Sequence, residues 1–219
     1  MTAREETQDS AAPDKRRRLR ITEIFHSIQG ESTHVGRPSY FVRLTGCNLR
    51  CTWCDSEYTF QGGEWLGFDA IFEQLDAFPE CGLVEVTGGE PMLQPNVVGF
   101  MQECLDRGLE VMIETGGSLD LSGVPAEVRK IVDLKAPGSG EHERNLWENT
   151  AVLQSWDEIK IVVADRADYE WAVEVCQREG LFERHTVHFS PIFLELQSTC
   201  NGWMLRQVRV CGPVIRGIS

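Results

Sequence analysis

Three cysteines, Cys47, Cys51 and Cys54, lie close together at the spacing C-x3-C-x2-C, with no fourth cysteine nearby. Structural zinc sites and electron-carrying iron–sulfur clusters generally use four protein ligands. A compact trio therefore indicates a 4Fe–4S cluster in which one iron stays open to bind and change another molecule. The alternative, which this spacing alone leaves open, is a group of buried or zinc-binding thiols.

A second candidate ligand site is the turn Gly88-Gly89-Glu90-Pro91, which follows the mostly apolar run 83–86. The apolar run predicts a short buried strand, and the proline prevents that strand from continuing. Two adjacent glycines permit backbone torsions that other residues avoid, so the strand ends in bare backbone. Taken alone this segment is an ordinary turn, but beside a cluster loop it is a candidate cradle for a ligand.

Short β-rich segments alternate with amphipathic, helix-like segments, which predicts a parallel sheet with crossover helices. The predicted strands are 20–25, 40–44, 83–87, 110–114, 130–134, 159–163 and 186–189, and the predicted helices are 68–78, 97–107 and 169–179. Ligands of such sheets lie at the carboxyl ends of the strands. Polar residues follow four of the strands, at 87–90, 114–117, 133–135 and Ser190. Taken singly each is as consistent with a helix cap or a surface ion pair, but together they point to one site.

The cysteine spacing, with aromatic Trp53 before the last cysteine, resembles the cluster loop of the radical S-adenosylmethionine (SAM) superfamily. The segments 23–32 and 40–55 further resemble the 7-carboxy-7-deazaguanine synthase family of queuosine precursor (7-deazapurine) biosynthesis, and the similarity runs from about Ile21 to about Phe193. This resemblance implies an α/β fold of the incomplete (partial) β/α barrel type. It also implies a 4Fe–4S cluster, SAM and magnesium as cofactors.

The reaction that the resemblance implies is conversion of 6-carboxy-5,6,7,8-tetrahydropterin to 7-carboxy-7-deazaguanine with loss of ammonia. A radical derived from SAM would remove hydrogen from the pterin and return it after ring contraction. The resemblance therefore implies no catalytic side chain, because the reacting group is the radical held by the cofactor. The same resemblance implies a flavodoxin- or ferredoxin-type electron donor and a homodimer.

Site residues carry over from the family one position at a time. The implied cluster ligands are Cys47, Cys51 and Cys54, and the implied magnesium ligand is Ser56, where threonine is more common. The implied SAM-binding residues are Trp53, Cys54, Asp55, Gly88, Gly89, Glu90, Thr115, Asp133, Leu134, Lys135 and Ser190. The implied substrate-binding residues are Ile28, Gln29, Gly30, Glu31, Arg43 and Thr87.

Two of the substrate-binding roles that the resemblance implies also have a chemical basis. Arg43 is expected to form a fork with the substrate carboxylate, and 29–31 are expected to face the amino-pyrimidine edge. Outside this resemblance, Arg43 would be a strand-end surface arginine and Glu31 a solvated loop carboxylate. Lys135 is expected to pair with the carboxylate of SAM.

The composition of the 219-residue chain, with 42% hydrophobic residues, fits one core and one domain. We expect a flexible extension at 1–18 and a radical SAM domain at 19–219. The last part of that domain, 194–219, departs from the family pattern, so no substrate contact is carried over to it and its effect on activity stays open.

The remaining features concern location and partners. A net charge of −13 argues against nonspecific nucleic-acid binding. No apolar run is long enough to span a membrane, and no signal peptide is evident, so the eight cysteines indicate a reducing cytoplasm. The cysteines outside the trio are expected to be unligated thiols: Cys81, Cys104, Cys176, Cys200 and Cys211.

Two alternative functions stay open at the level of sequence. Another radical SAM enzyme, such as a glycyl-radical activating enzyme, shares the cluster loop and an Asp-Leu-Lys segment, but it would act on a protein. A non-catalytic zinc or iron–sulfur module would share only the thiols.

Overall fold

The structure, a computed structural model, describes residues 15–192. The divergent tail and most of the predicted N-terminal extension lie outside the described residues. The strands are β1 (Arg18–Ile28), β2 (Pro38–Leu44), β3 (Glu64–Gly67), β4 (Leu83–Gly88), β5 (Glu110–Thr115), β6 (Arg129–Asp133), β7 (Glu158–Val163) and β8 (Thr186–Pro191). The α-helices are α1 (Phe68–Leu75), α2 (Val97–Asp106), α3 (Arg166–Arg178) and α4 (Leu181–Arg184).

All eight described strands form one sheet in the order β3-β1-β2-β4-β5-β6-β7-β8. Neighbouring strands from β2 through β4 to β8 are parallel, as predicted. The prediction of a parallel sheet is wrong for β1, which is antiparallel to both β2 and β3. The reason is the short connection 29–37, since a parallel pairing needs a longer crossover. The sheet is open, with β3 and β8 as its edges.

Alternate residues of the central strands face two different environments, as the two-residue repeat of a strand requires. On the helix-covered face, Val84 and Val86 of β4 pack with Phe100 and Cys104 of α2 in the main core. On the opposite, inner face, a small second cluster is formed by Leu83, Met112 and Ile131. Polar side chains continue the inner face toward the carboxyl ends of the strands, and they form the site described below.

The sequence missed β3 and α4 because each is only four residues long, too short to show a hydrophobic period. The described domain also begins before the predicted boundary at residue 18. Arg17 binds Asp69 at 3.0 Å and Glu103 at 2.8 Å, and β1 begins at the next residue. Among the helices within 15–192, none has the length and apolar character that crossing a membrane requires.

Candidate active site

A cavity of about 860 Å³ lies on the inner face of the sheet. Its walls come from the ends of β2, β4, β5, β6, β7 and β8, from the loop 29–37 and from the cysteine loop. The cysteine loop forms one end of the cavity, which we call the cofactor end. The opposite end, lined by Gln29, Glu31, Glu85, Glu114 and Lys160, is called the substrate end.

The cysteine loop at the cofactor end packs directly against the two glycines that follow β4. The amide of Glu90 donates to the carbonyl oxygen of Gly46 at 2.8 Å. A Cβ atom on Gly89 would lie 2.4 Å from that oxygen and 2.7 Å from the Cβ of Cys47. Gly88 has a φ of +153° and would place a Cβ 2.5 Å from the carbonyl oxygen of Leu44. Both positions therefore require glycine, because the two backbones touch.

The other side of the cysteine loop is held by the segment after β6. The amide of Thr52 donates to the carbonyl oxygen of Ser139 at 3.0 Å, and the amide of Arg50 donates to Glu141 at 2.6 Å. A Cβ on Gly138 would lie 3.1 Å from the ring of Trp53. The loop is thus fixed between two segments that are far apart in sequence.

The thiols of Cys47, Cys51 and Cys54 are free, partly exposed and on the wall of the same cavity. Burial raises the pKa of Cys47 and Cys51. Within residues 15–192 no three His, Cys, Asp or Glu side chains already stand in a metal-chelating arrangement, so the thiols would have to draw together around a cluster. Three soft donors on a loop that opens to a cavity fit a 4Fe–4S cluster with one free iron.

Glu90 does not line the cavity but lies buried beside it, 1% exposed. Its carboxylate accepts hydrogen bonds from the amide of Met92 at 2.9 Å, from the hydroxyl of Thr115 at 2.8 Å and from the amide of Gly116 at 2.8 Å. Burial raises the pKa of Glu90. This carboxylate therefore ties the end of β4 to the end of β5 and positions the backbone of both.

Asp133 and Lys135 follow β6 at the cofactor end. The Lys135 ammonium donates to Oδ2 of Asp133 at 2.7 Å, while Oδ1 of Asp133 is buried and accepts no hydrogen bond from the described residues. Burial alone would lower the pKa of Lys135, but Asp133 and Cys51 outweigh it and raise that pKa. The unsatisfied acceptor is a place for a donor group of a ligand, since a buried polar atom is costly without a partner.

The substrate end gathers polar side chains from four separate parts of the chain. Gln29 donates its amide to Oε2 of Glu85, and Oε1 of Gln29 accepts from the amide of Glu31 at 3.0 Å. The Lys160 ammonium donates to Glu31 at 2.5 Å and to Glu114 at 2.7 Å. Glu31 and Glu114 therefore share one lysine.

The charges of these groups depend strongly on one another. Burial, together with the charge of Glu114, raises the pKa of Glu85 to about 8. Burial and Glu114 also raise the pKa of Glu31, although Lys160 opposes them. At Glu114 burial alone would raise the pKa, but the charge and hydrogen bond of Lys160, together with Lys135, outweigh it and lower that pKa. At neutral pH Glu114 is thus ionised against Lys160, while Glu85 mostly holds a proton.

Arg43 lies on the cavity wall at the end of β2. Its Nε donates to Glu23 at 2.8 Å, and its guanidinium lies over the ring of Phe25 at 5.9 Å from the ring centroid. Its two terminal nitrogens donate to no described residue. The side chain is held in place at Nε, and the fork of terminal nitrogens is available to a carboxylate.

The loop 29–37 is anchored by two acidic residues at the start of strands. Thr33 donates its amide to Glu158 of β7 at 3.0 Å and its hydroxyl at 2.5 Å. Glu110 of β5 pairs with His34 at 2.9 Å and with Arg37 at 2.6 Å. Arg37 and His34 lower the pKa of Glu110 to about 2. These anchors hold Gln29 and Glu31, on the same loop, against the cavity.

Most of the residues expected at the site lie on the cavity wall. They are Gln29, Gly30, Glu31, Arg43, Cys47, Cys51, Trp53, Cys54, Asp55, Ser56, Thr87, Gly88, Gly89, Thr115, Asp133, Lys135 and Ser190. Three do not line it: Ile28 is 58% exposed, while Glu90 and Leu134 are buried. Ser56, the expected magnesium ligand, donates its hydroxyl to Asp55 at 2.8 Å, so two hard oxygen donors lie together there.

Sequence reasoning missed Glu85 and Lys160, to which the resemblance gave no role. The sequence held only a weak indication of these two residues. Each is a charged residue inside an otherwise apolar strand, and in β4 the two-residue repeat puts Glu85 on the same face as Thr87. A charge on the inner face of a buried strand is more consistent with a site than with packing.

Residues 41–138 match the model of the radical SAM superfamily. The fold and the cysteine loop are those of this class of protein. A relative from Koribacter versatilis, named 7-carboxy-7-deazaguanine synthase, is 51% identical over 177 residues, covering 80% of this chain and 78% of the relative. A relative of the same name from Chlorobaculum tepidum is 42% identical over 192 residues, covering 86% of this chain and 87% of the relative. The chain belongs to the 7-carboxy-7-deazaguanine synthase family.

The fold is also found among solved structures. The crystal structure of QueE from Escherichia coli superimposes with a TM-score of 0.70 at 20% identity, covering 86% of this chain and 91% of that chain. The predicted superfamily, family and incomplete barrel are therefore confirmed. The cofactors of this class are a 4Fe–4S cluster and SAM, and magnesium is typical of the family.

Proposed function

We infer that this chain is a radical SAM enzyme that converts 6-carboxy-5,6,7,8-tetrahydropterin to 7-carboxy-7-deazaguanine and ammonia. The observation that carries this function is the family relationship at 51% identity. It is supported by one cavity that holds the thiols at one end and, elsewhere on its wall, a polar cluster and an arginine, Arg43, whose terminal nitrogens donate to no described residue.

When bound, the cluster and SAM supply the radical chemistry that removes and returns a hydrogen atom. The residues proposed to hold the cluster are Cys47, Cys51 and Cys54. We propose that SAM binds to the backbone of Gly89 and to the Asp133–Lys135 pair. The free Oδ1 of Asp133 matches an amino group, and the ammonium of Lys135 matches a carboxylate. SAM bound to these residues would lie at the cofactor end, beside the thiols.

The substrate is proposed to bind with its carboxylate toward Arg43 and Ser56 and its ring toward Gln29 and Glu31. Arg43 is already oriented by Glu23, so little conformational freedom is lost when a carboxylate binds. Ser56 with Asp55 supplies oxygen donors for magnesium beside that carboxylate. The cavity walls of Phe41 and Phe60 exclude water from the ring.

Location and partners extend this proposal. A cytoplasmic enzyme fits the unpaired thiols Cys81, Cys104 and Cys176 of the described chain. A flavodoxin- or ferredoxin-type protein is the proposed electron donor, and a homodimer the proposed assembly.

The test is anaerobic turnover of the reconstituted protein with SAM, magnesium, a reductant and 6-carboxytetrahydropterin. We expect 7-carboxy-7-deazaguanine by mass spectrometry, with SAM present at its starting amount after many turnovers. Cleavage of SAM without this product, with the substrate intact, would overturn the proposal. A protein that binds zinc and no iron after reconstitution would instead favour a non-catalytic module.

A further inference from the structure

The substrate end carries a carboxyl group, that of Glu85, to which neither the proposed cofactor contacts nor the anchors of the loop 29–37 assign a role. Glu85 of β4 is 4% exposed and lines the cavity. It forms no ion pair with any described residue, because Lys160 is used by Glu31 and Glu114. Its Oε2 accepts from the amide of Gln29, and its other hydrogen-bonding neighbour is the acidic side chain of Glu114, which cannot neutralise it. Burying such a group is costly, so its presence on an apolar strand calls for a ligand.

The kind of ligand follows from the groups around Glu85. Three carboxyl groups, one amide and one ammonium group line this end of the cavity, so it offers more acceptors than donors. It matches a heterocycle edge that is rich in N–H groups. A 2-amino-4-oxopyrimidine edge has adjacent amino and ring N–H donors, which a carboxylate can accept in parallel. Its neighbouring carbonyl oxygen needs a donor, and the Lys160 ammonium has three protons but two partners among residues 15–192.

We propose that Glu85 is a specificity-determining residue that accepts hydrogen bonds from the 2-amino and ring N–H groups of the substrate, while Lys160 donates to the adjacent carbonyl oxygen. The inference rests on the proposed function, which supplies the pterin. Gln29 orients the Glu85 carboxyl, and Glu114 fixes Lys160. Because burial and Glu114 raise the pKa of Glu85 to about 8, the carboxyl holds a proton when no ligand is bound, and it releases that proton when the two N–H donors of the ligand bind.

The experiment compares two unreactive ligands that differ at one group. The reconstituted protein, with SAM and magnesium under anaerobic conditions, is titrated with 6-carboxypterin and with 6-carboxylumazine, in which the amino group is replaced by oxygen. We expect the parent protein to bind the pterin at least about 10-fold more tightly, because the lumazine sets an acceptor against the carboxylate. In Glu85→Gln the pterin should bind about 10- to 100-fold more weakly and the preference should disappear, since an amide accepts and donates equally.

Glu103→Gln is the control, since it makes the same change at a carboxyl group of α2 that lies outside the cavity and pairs with Arg17 and Arg107; it should keep both the parent affinity and the parent preference. Iron content and bound SAM report whether each variant is intact. A parent protein that binds both ligands equally well overturns the inference without any variant. So does a Glu85→Gln variant that keeps the parent preference. If the parent makes no 7-carboxy-7-deazaguanine in the turnover assay, the proposed function itself fails.

Discussion

The two ends of the cavity are built in different ways. At the cofactor end, contiguous segments supply neighbouring groups, and a close backbone contact at Gly89 holds the cysteine loop. At the substrate end, single side chains from β4, β5, β7 and the loop 29–37 meet through hydrogen bonds and charge. The cofactor end is thus fixed by close packing, and the substrate end by a balance of charges that a substitution can shift.

If this contrast is right, the largest effect comes from removing a thiol at the cofactor end. Cys51→Ala should abolish the brown chromophore and all SAM cleavage, because two thiols cannot retain the cluster in place of three. Cys104→Ala, in the core behind α2, should keep both. The measurements are iron per chain and the anaerobic absorption spectrum. A Cys51→Ala protein that holds about four irons per chain would show that the trio is not the cluster site.

The next effect tests whether the cofactor end depends on backbone contact. Gly89→Ala would force a Cβ to 2.4 Å from the oxygen of Gly46, so we expect a loss of about 1–3 kcal/mol in the free energy of unfolding and poor cluster retention. Gly99→Ala, in α2 with open space around it, should instead gain about 0.5–1 kcal/mol. Denaturant unfolding of both variants checks this. If the two variants had the same free energy of unfolding, the contact between Gly89 and the cysteine loop would not be rigid.

At the substrate end the corresponding effect depends on pH. The pKa of Glu85, about 8 against an ordinary value of 4.5, means that the folded protein binds more protons than the unfolded chain between these values. The free energy of unfolding should therefore fall as pH rises from 4.5 to 8. Glu85→Gln should remove this fall and be more stable than the parent at pH 8 by on the order of 2 kcal/mol. Unfolding at pH 5, 6.5 and 8 measures it; an unchanged slope would reject the assignment.

The smallest effect has the opposite sign and lies at the anchor of the loop 29–37. Arg37 and His34 hold the pKa of Glu110 at about 2, against an ordinary 4.5. Its contribution is therefore present above pH 4.5 and is lost as pH falls toward 2. Because this carboxyl is 47% exposed, solvent limits the loss in Glu110→Gln to at most about 1 kcal/mol at pH 7. The melting temperatures of the two proteins, measured from pH 2 to 7, should converge at the acid end.

The same contrast explains what the sequence could predict. The thiols, the glycine turn and the 133–135 segment are short contiguous motifs, so their spacing is visible without a structure. Glu85 and Lys160 are single charged residues in apolar strands, and only strand register brings them together. The antiparallel β1 was missed because hydrophobic patterning gives strand position but not strand direction.

The roles of Glu90 and Arg43 show the same limit. Glu90 belongs to the glycine motif, yet its carboxylate faces Thr115 and the backbone of Gly116 rather than the cavity. Arg43 was expected at the site from its strand, but its support by Glu23 across the β1–β2 pair depends on register. Motifs therefore predicted most of the residues that line the cavity, and tertiary contacts determined which of their atoms have no partner among the described residues.

The central claim, that the two ends act separately, is tested most directly by measuring SAM cleavage and pterin binding on one variant, Arg43→Ala. Loss of a charge-assisted fork should weaken 6-carboxypterin binding by about 30- to 1000-fold, while uncoupled SAM cleavage stays close to that of the parent. Arg107→Ala, at the end of α2 outside the cavity, is the control and should change neither. An Arg43→Ala protein that binds the pterin as tightly as the parent, or that loses the cluster, would contradict the account.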